Sequence, residues 1–487
     1  MSSLLKITAK GITWTTLSSI MRSVVGLVQI TILTRILTVS DFGTIAIANV
    51  FLVFTQLFMD LGISVGIMHR QNITKNEYSS LYWINIFMGT FLTVILIIIS
   101  PIIAGIYKDE SLTPIIMLLS LNILFASVGS QHRTIQSKEL RFMSISLIDI
   151  FLSLISLFTA VILARKGYGV YSLVYASLFS SFLSSSIYLV IGLIKDKNIR
   201  FHFNLKETLP FLQIGSYQLG SAVMDYFSRE IDIMFIGSAY GKEVLGIYSL
   251  CKKIVLMLYA TINPIFTKVL TPLLAKLQSG KDYLKSIYLK IVESLSIINF
   301  PIYILIAVFS YGILFILYGE KYTEGYFLLT ILALNYGLLT ASNPVGSLQV
   351  ALGRTDIGFY WTIYRIISTL IIIFIASFFN IEVLVVLFLL LSMANTVLIW
   401  RMQILVMTKI PAKKYFLTII KPLSIAVIIA LPFYIWASTI NSLSLLIILS
   451  LIYTILYSVV IVIFMRNTYI VSTTKNILSN IFKKRIM

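Results

Sequence analysis

Cysteine, histidine and acidic side chains are all scarce in this 487-residue chain, and each shortage closes off a class of chemistry. A single cysteine, Cys251, excludes an internal disulfide. The three histidines, His69, His132 and His202, stand apart from any cysteine or carboxylate at ligand spacing, so no structural metal is expected. No nucleophile–base pairing and no glycine-rich phosphate loop is visible, which predicts a protein that is not an enzyme. Charge is thin as well: 12% of residues are charged, against about one-quarter in a typical soluble chain. Long polar segments are also missing. The stretches between apolar runs are too short for a soluble domain, which weighs against a membrane glycosyltransferase or polymerase.

What the chain has is apolar sequence: 58% of residues are hydrophobic and the mean hydropathy is +0.96. Run after run approaches the roughly 20 residues that a helix needs to cross a bilayer. An all-α integral membrane protein of about 14 transmembrane helices is predicted. Ten fall at 11–37, 42–68, 81–107, 112–130, 142–164, 168–194, 210–236, 245–273, 287–317 and 326–352, and four more centre near Ile367, Leu390, Ile428 and Ile455. The first contains Arg22 and Arg35 and lacks a small-residue cleavage site, so it is expected to be a retained helix.

The net charge of +19 is explained by where the cations fall. Alternate loops such as "QHRTIQSKELRF", "KDKNIRFHFNLKE" and "KIPAKKYF", with the tail "KKRIM", carry roughly two dozen Lys and Arg, against about half a dozen in the intervening loops. Both termini are therefore predicted to be cytoplasmic, and the basic excess points to membrane lipid rather than nucleic acid. The tail "NILSNIFKKRIM" reads as a basic anchor or as an amphipathic interfacial stretch. A faint repeat links "VSDFGTIAIANVF" with "GKEVLGIYSLCKK", about 200 residues on: each has an acidic residue, an apolar step, a glycine, and then a helix running inward. That interval suggests two six-helix lobes, 1–200 and 201–410, around a central cavity, with two appended helices and the tail in 411–487.

Charges inside the membrane are expensive and normally face a partner or water. In "DYFSREIDIMFIGS", Asp225, Arg229 and Asp232 fall at i, i+4 and i+7 on one helix face. They form either a self-neutralising ladder or part of a site. Arg22 and Arg365 each lie roughly 15 Å into their helices, near midplane. At least one of Lys252 and Lys253 must face protein or water, while Arg35 and Lys268 reach helix ends. Asp60 and Asp149 are candidate counter-ions in the cytoplasmic half, and Lys290 with Glu293 reads as an i, i+3 ion pair. Pro344, in "NYGLLTASNPVGSLQ", is expected to bend or break its helix, as a packing kink or a hinge. The modest excess of cations at mid-depth predicts an anionic ligand, and arginine suits phosphate.

"ILTRILTVSDFGTIAIANVF", "DLGISVGIMHRQNITKNEYSSLYWIN", "IQSKELRFMSISLIDI", "DYFSREIDIMFIGSAYGKEVLGIYS" and "VALGRTD" together resemble the bacterial polysaccharide exporters of the colanic-acid and teichuronic-acid type. That family lies within the multidrug/oligosaccharidyl-lipid/polysaccharide flippase superfamily. The resemblance implies alternating access in the bacterial inner membrane. The cargo would be an undecaprenyl-pyrophosphate-linked oligosaccharide moved from the cytoplasmic to the outer leaflet, alongside the polysaccharide polymerase machinery. No cofactor is implied beyond a proton or sodium gradient, or the membrane potential, as driving force. "DYFSREID" departs from the family pattern, which has an Asn near Asp225 or Glu230. Arg22, Arg229, Lys252 and Arg365 are expected to line a cationic cavity for the pyrophosphate and sugar. Asp225, Asp232 and Asp60 are expected to be counter-ions or ion-coupling groups. A peptidoglycan-precursor flippase shares this fold and carrier, whereas a drug–cation antiporter of the same fold would favour an acidic cavity.

Overall fold

The computed structural model describes residues 2–70, 72–196, 201–278, 280–435 and 442–465. The tail "NILSNIFKKRIM", the segment 197–200 and the side chain of Lys268 lie outside the described residues. The described chain is helical, and thirteen of its segments are long and apolar enough to cross a membrane. The helix that carries "DYFSREID" is not among them. It nevertheless runs unbroken over Leu205–Ala239, about 52 Å at 1.5 Å per residue, long enough to be one more of the about fourteen predicted helices.

The helices are α1 (Ser2–Leu33), α2 (Val39–Met59), α3 (Ile63–His69), α4 (Lys75–Tyr107), α5 (Leu112–Lys138), α6 (Phe142–Arg165), α7 (Tyr171–Ile191), α8 (Leu205–Ala239) and α9 (Gly241–Lys276). They continue as α10 (Lys281–Val308), α11 (Ser310–Tyr318), α12 (Tyr326–Ser342), α13 (Pro344–Ala351), α14 (Thr355–Ala376), α15 (Ile381–Ile399), α16 (Leu405–Thr408), α17 (Ala412–Tyr434) and α18 (Leu443–Phe464). Their starts are written in the sequence. Thr38 with Asp41, and Thr74 with Glu77, form reciprocal capping boxes that open α2 and α4, and the Asn380 and Ser442 side chains cap α15 and α18.

Three predicted helices are interrupted. The break at Pro344 is the expected one: α12 ends at Ser342, α13 begins on the proline, and Asn343 at the joint accepts the Tyr259 hydroxyl at 3.3 Å. The predicted 42–68 helix instead divides at Leu61 and Gly62, both in the left-handed region. Asp60 makes the division local, because its carboxylate accepts the Ser64 amide at 3.2 Å and the Ser64 hydroxyl at 2.6 Å, satisfying donors at the start of α3. Asp60→Ala is expected to lower stability by about 1 kcal/mol, which thermal unfolding in detergent will measure. The predicted 287–317 helix divides at Phe309, where the Thr330 hydroxyl donates to the Ala307 carbonyl at 3.1 Å.

The chain forms two compact units, Met1–Ser249 and Leu250–Met487. In the first, α1 runs beside α6, α5 packs on both α4 and α7, and α8 docks on α2, α3 and α4. Ile63, Ile67, Leu81, Ile84 and Phe211 form a buried cluster at the α3–α4–α8 junction, with the Arg70 guanidinium 4.8 Å above the Phe211 ring. Beside it Glu207 accepts the Ser80 hydroxyl at 2.6 Å and lies 3.0 Å from His202, tying the start of α8 to α4. Ser80 and His202 hold the Glu207 carboxyl below its ordinary value. This tether is thus complete above the usual carboxylate range and lost as pH falls through the lowered value. In the second unit α10 lies between α12 and α17, α12 packs on α15, and α17 on α18. The expected Lys290–Glu293 pair does not form: the cation in electrostatic range of Glu293 is Lys421 of α17.

Candidate functional site

In the first unit, α1 and α6 run in parallel and a hydrogen bond sets their register. Ser18 and Ser146 are both buried, and the Ser18 hydroxyl donates to the Ser146 carbonyl at 3.4 Å. One turn further along each helix, Arg22 Nη1 meets Asp149 Oδ2 at 3.6 Å. The same oxygen receives Arg133 Nη2 from α5 at 2.8 Å. The Arg133 guanidinium also lies 5.9 Å from the ring of Tyr188, a fully buried α7 residue. Side chains of α1 and α5 therefore converge on one α6 carboxylate, with α7 against the second guanidinium.

The electrostatics are lopsided. Two guanidinium groups share a single carboxylate, leaving one net positive charge. The Asp149 side chain is 11% exposed, while Arg22 and Arg133 are 46% and 45% exposed. Arg22 stands ten residues into the Thr13–Leu33 span, at mid-depth. An open guanidinium there is not tolerated by hydrocarbon, so its free face belongs to water or to a bound polar group. Two planar forks held by one carboxylate are suited to phosphate oxygens, which accept paired N–H donors.

Arg133 is the member that the sequence reading passed over. The predicted fourth helix stops at 130, whereas α5 continues to Lys138 and carries Arg133 into the bundle. Gln131, His132 and Gln136, whose polarity made this segment look like loop, are all buried against neighbouring helices. A clue was available: Arg133 and Asp149 flank the turn from α5 to α6 within one turn or two of it.

The other predicted residues are distributed as follows. Arg229 and Asp225 form the expected i, i+4 pair at 2.7 Å on α8, both partly exposed. Asp232, the third member of that face, accepts the Tyr248 hydroxyl at 2.6 Å and the Ile233 amide at 2.8 Å. Arg22 and Arg229 thus sit in separate ion pairs within the first unit. Lys252 and Arg365 belong to the second. Lys252 is buried in α9 beside the exposed Lys253, and Arg365 is half-buried at the middle of α14. Beside Arg365 in sequence, the Tyr364 hydroxyl donates to Asn395 of α15 at 3.1 Å; elsewhere in this unit Gln349 Nε2 donates to Gln403 Oε1 at 2.6 Å. This unit also contains an apolar groove of about 460 Å³ between α17 and α18, lined by Ile425, Ile428, Val460 and Phe464, with Lys421 on its wall.

Comparison with known proteins places the chain in a family. Residues 32–326 match the model described as polysaccharide biosynthesis protein. The chain is 30% identical over 361 residues to the teichuronic acid biosynthesis protein TuaB of Bacillus subtilis, covering 74% of each chain. It is 27% identical over 361 residues to the lipopolysaccharide biosynthesis protein WzxC of Escherichia coli, covering 74% of this chain and 73% of that one. Among solved structures, the lipid II flippase MurJ in an inward closed conformation superposes with a TM-score of 0.74 at 14% identity, over 93% of this chain and 99% of that one. An inward-facing multidrug resistance transporter of the MOP superfamily gives 0.62 at 13% identity, over 80% and 96%. The chain is therefore a multi-pass membrane protein of the polysaccharide biosynthesis protein family, with the fold of the MOP-superfamily transporters.

Proposed function

We propose that this protein is a flippase for undecaprenyl-pyrophosphate-linked oligosaccharide repeat units. It moves them from the cytoplasmic to the outer leaflet of the bacterial inner membrane for cell-surface polysaccharide synthesis, with both termini cytoplasmic. The observation that carries this reading is the Arg22–Asp149–Arg133 cluster. Its surplus cation lies in the half of the membrane that the loop charges assign to the cytoplasm, where the pyrophosphate head starts. Arg229, Lys252 and Arg365 supply further cations along the path, and the lobes 1–200 and 201–410 would alternate around it. The α17–α18 groove offers an apolar bed for a polyprenyl chain, with Lys421 beside it for the phosphate end. A proton or sodium gradient would drive the cycle, with Asp225 and Asp232 as the candidate coupling groups. Asp60 is engaged in holding the α2–α3 break and fits that structural role better.

Binding tests the reading directly. Purified protein is expected to retain undecaprenyl pyrophosphate and to ignore undecaprenol, with affinity falling as salt rises. Equal retention of both lipids would show that the arginines do not read the anionic head. Retention of cationic drugs instead would move the protein to the antiporter branch of the same fold.

A further inference from the structure

The end of the first unit that carries the α8–α9 turn holds a contact that the anion site does not explain. Gly43 of α2 lies so close to the Lys242 carbonyl that a Cβ on it would stand 1.8 Å from that oxygen. Gly246 of α9 faces the Val39 carbonyl in the same way, at 2.2 Å from a Cβ. The two contacts are reciprocal. In each helix a carbonyl at position i meets the glycine at position i+4 of the other helix, the pattern of a two-fold related crossing. Only glycine permits such an approach, and Cα–H groups facing carbonyls are its attractive part. The segments that cross, 39–43 and 242–246, are the two copies of the faint sequence repeat.

Other groups close the same spot. Lys242 Nζ reaches Asp109 Oδ2, in the α4–α5 turn, at 3.0 Å, and the Tyr107 hydroxyl donates to the Met234 carbonyl at 3.2 Å. Burial works against the Asp109 charge, but bonds from Ser111 and Lys242 outweigh it and hold the carboxyl below its ordinary value. All of these turns belong to the set poor in Lys and Arg.

We infer that residues 39–43 and 241–246, locked laterally by Asp109–Lys242, form the outer seal of the transport path. The seal is a glycine-mediated crossing of the two repeat-related helix starts, which must part whenever the outer side opens. This rests on the alternating-access reading above and on both termini being cytoplasmic.

The test uses the full-length protein carrying Cys251→Ser, Asp109→Cys and Lys242→Cys, with a short, reductant-cleavable bis-thiol reagent. Crosslinking is expected to be near complete, to arrest translocation of a fluorescent undecaprenyl-pyrophosphate oligosaccharide in liposomes, and to be reversed by reductant. Adding Gly43→Val is expected to lower the crosslinking rate about tenfold by forcing the crossing apart. Gly105→Val, at a glycine with nothing within 4 Å, is expected to leave it unchanged. Gly246→Ala keeps the test decidable if Gly43→Val does not fold. Failure to crosslink, crosslinking indifferent to both glycine variants, or full translocation by the crosslinked protein would each overturn the seal. A protein that moves no lipid-linked glycan even before crosslinking fails the flippase reading instead, and the glycine variants then decide the seal alone.

Discussion

Arg22→Gln, Arg133→Gln and Asp149→Asn combined are expected to give a protein that inserts, folds and fails to translocate. The three changes neutralise the cluster as a unit, so no buried charge is stranded. Charge-assisted hydrogen bonds contribute about 1.5–3 kcal/mol each, so losing one arginine is expected to slow translocation by roughly 10- to 100-fold. Losing both is expected to bring it to background. The single variants separate function from folding. Arg22→Gln leaves Arg133 on Asp149 at 2.8 Å and is expected to keep normal stability. Arg22→Gln with Arg133→Gln strands a mostly buried carboxylate, a loss of about 3–5 kcal/mol, and adding Asp149→Asn is expected to recover most of it. Thermal unfolding read beside translocation checks each step. Full transport by the triple variant would remove the cluster from the mechanism.

A large stability effect is also expected at Gly89. A Cβ there would stand 2.4 Å from Ser127 Cβ, and Ser127 is fully buried where α4 and α5 meet. The hydrophobic effect does not drive helices together inside a bilayer, so close packing of small residues and interhelical hydrogen bonds must do so. Both operate here. Asn85 donates to the Ser130 hydroxyl at 2.7 Å, and the Thr93 hydroxyl lies 3.2 Å from the Ser120 carbonyl. Gly129 repeats the device against Ser185 of α7, whose hydroxyl bonds the Phe125 carbonyl. Gly89→Leu is expected to prise α4 from α5, at about 3 kcal/mol or more, with aggregation on gel filtration in detergent. Gly105→Leu, on the same helix with open space around it, is expected to behave as wild type. Equal behaviour of the two would refute the close-packing account of this bundle.

Much of the fold was legible because hydropathy reports helices that face lipid. The reading failed where burial inside protein replaced lipid. Gln131, His132 and Gln136 look like loop residues, yet they fill the bundle interior, so α5 was cut short and Arg133 was lost with it. Helix breaks were legible only when proline announced them. The Pro344 break was foreseen, whereas the division at Leu61–Gly62 is held by the Asp60 carboxylate accepting from Ser64, and that at Phe309 by a hydroxyl from another helix, Thr330, on the Ala307 carbonyl. Charge spacing told local truth and missed tertiary truth. Asp225 and Arg229 pair as their spacing requires. Asp232 was captured by Tyr248, and Glu293 came within range of Lys421, partners that no spacing rule within one helix can supply. The repeat, faint as sequence, is plainest in space, where its two copies meet through their glycines.

The most direct measurement places purified wild-type protein in liposomes whose inner or outer leaflet is loaded with a fluorescent undecaprenyl-pyrophosphate oligosaccharide. Arrival in the opposite leaflet is followed with and without a proton or sodium gradient. Movement that the gradient accelerates, and that Arg22→Gln slows by at least tenfold, is the predicted result. Movement at the same rate in protein-free liposomes, or unchanged by the substitution, would contradict a flippase whose arginines carry the anionic head.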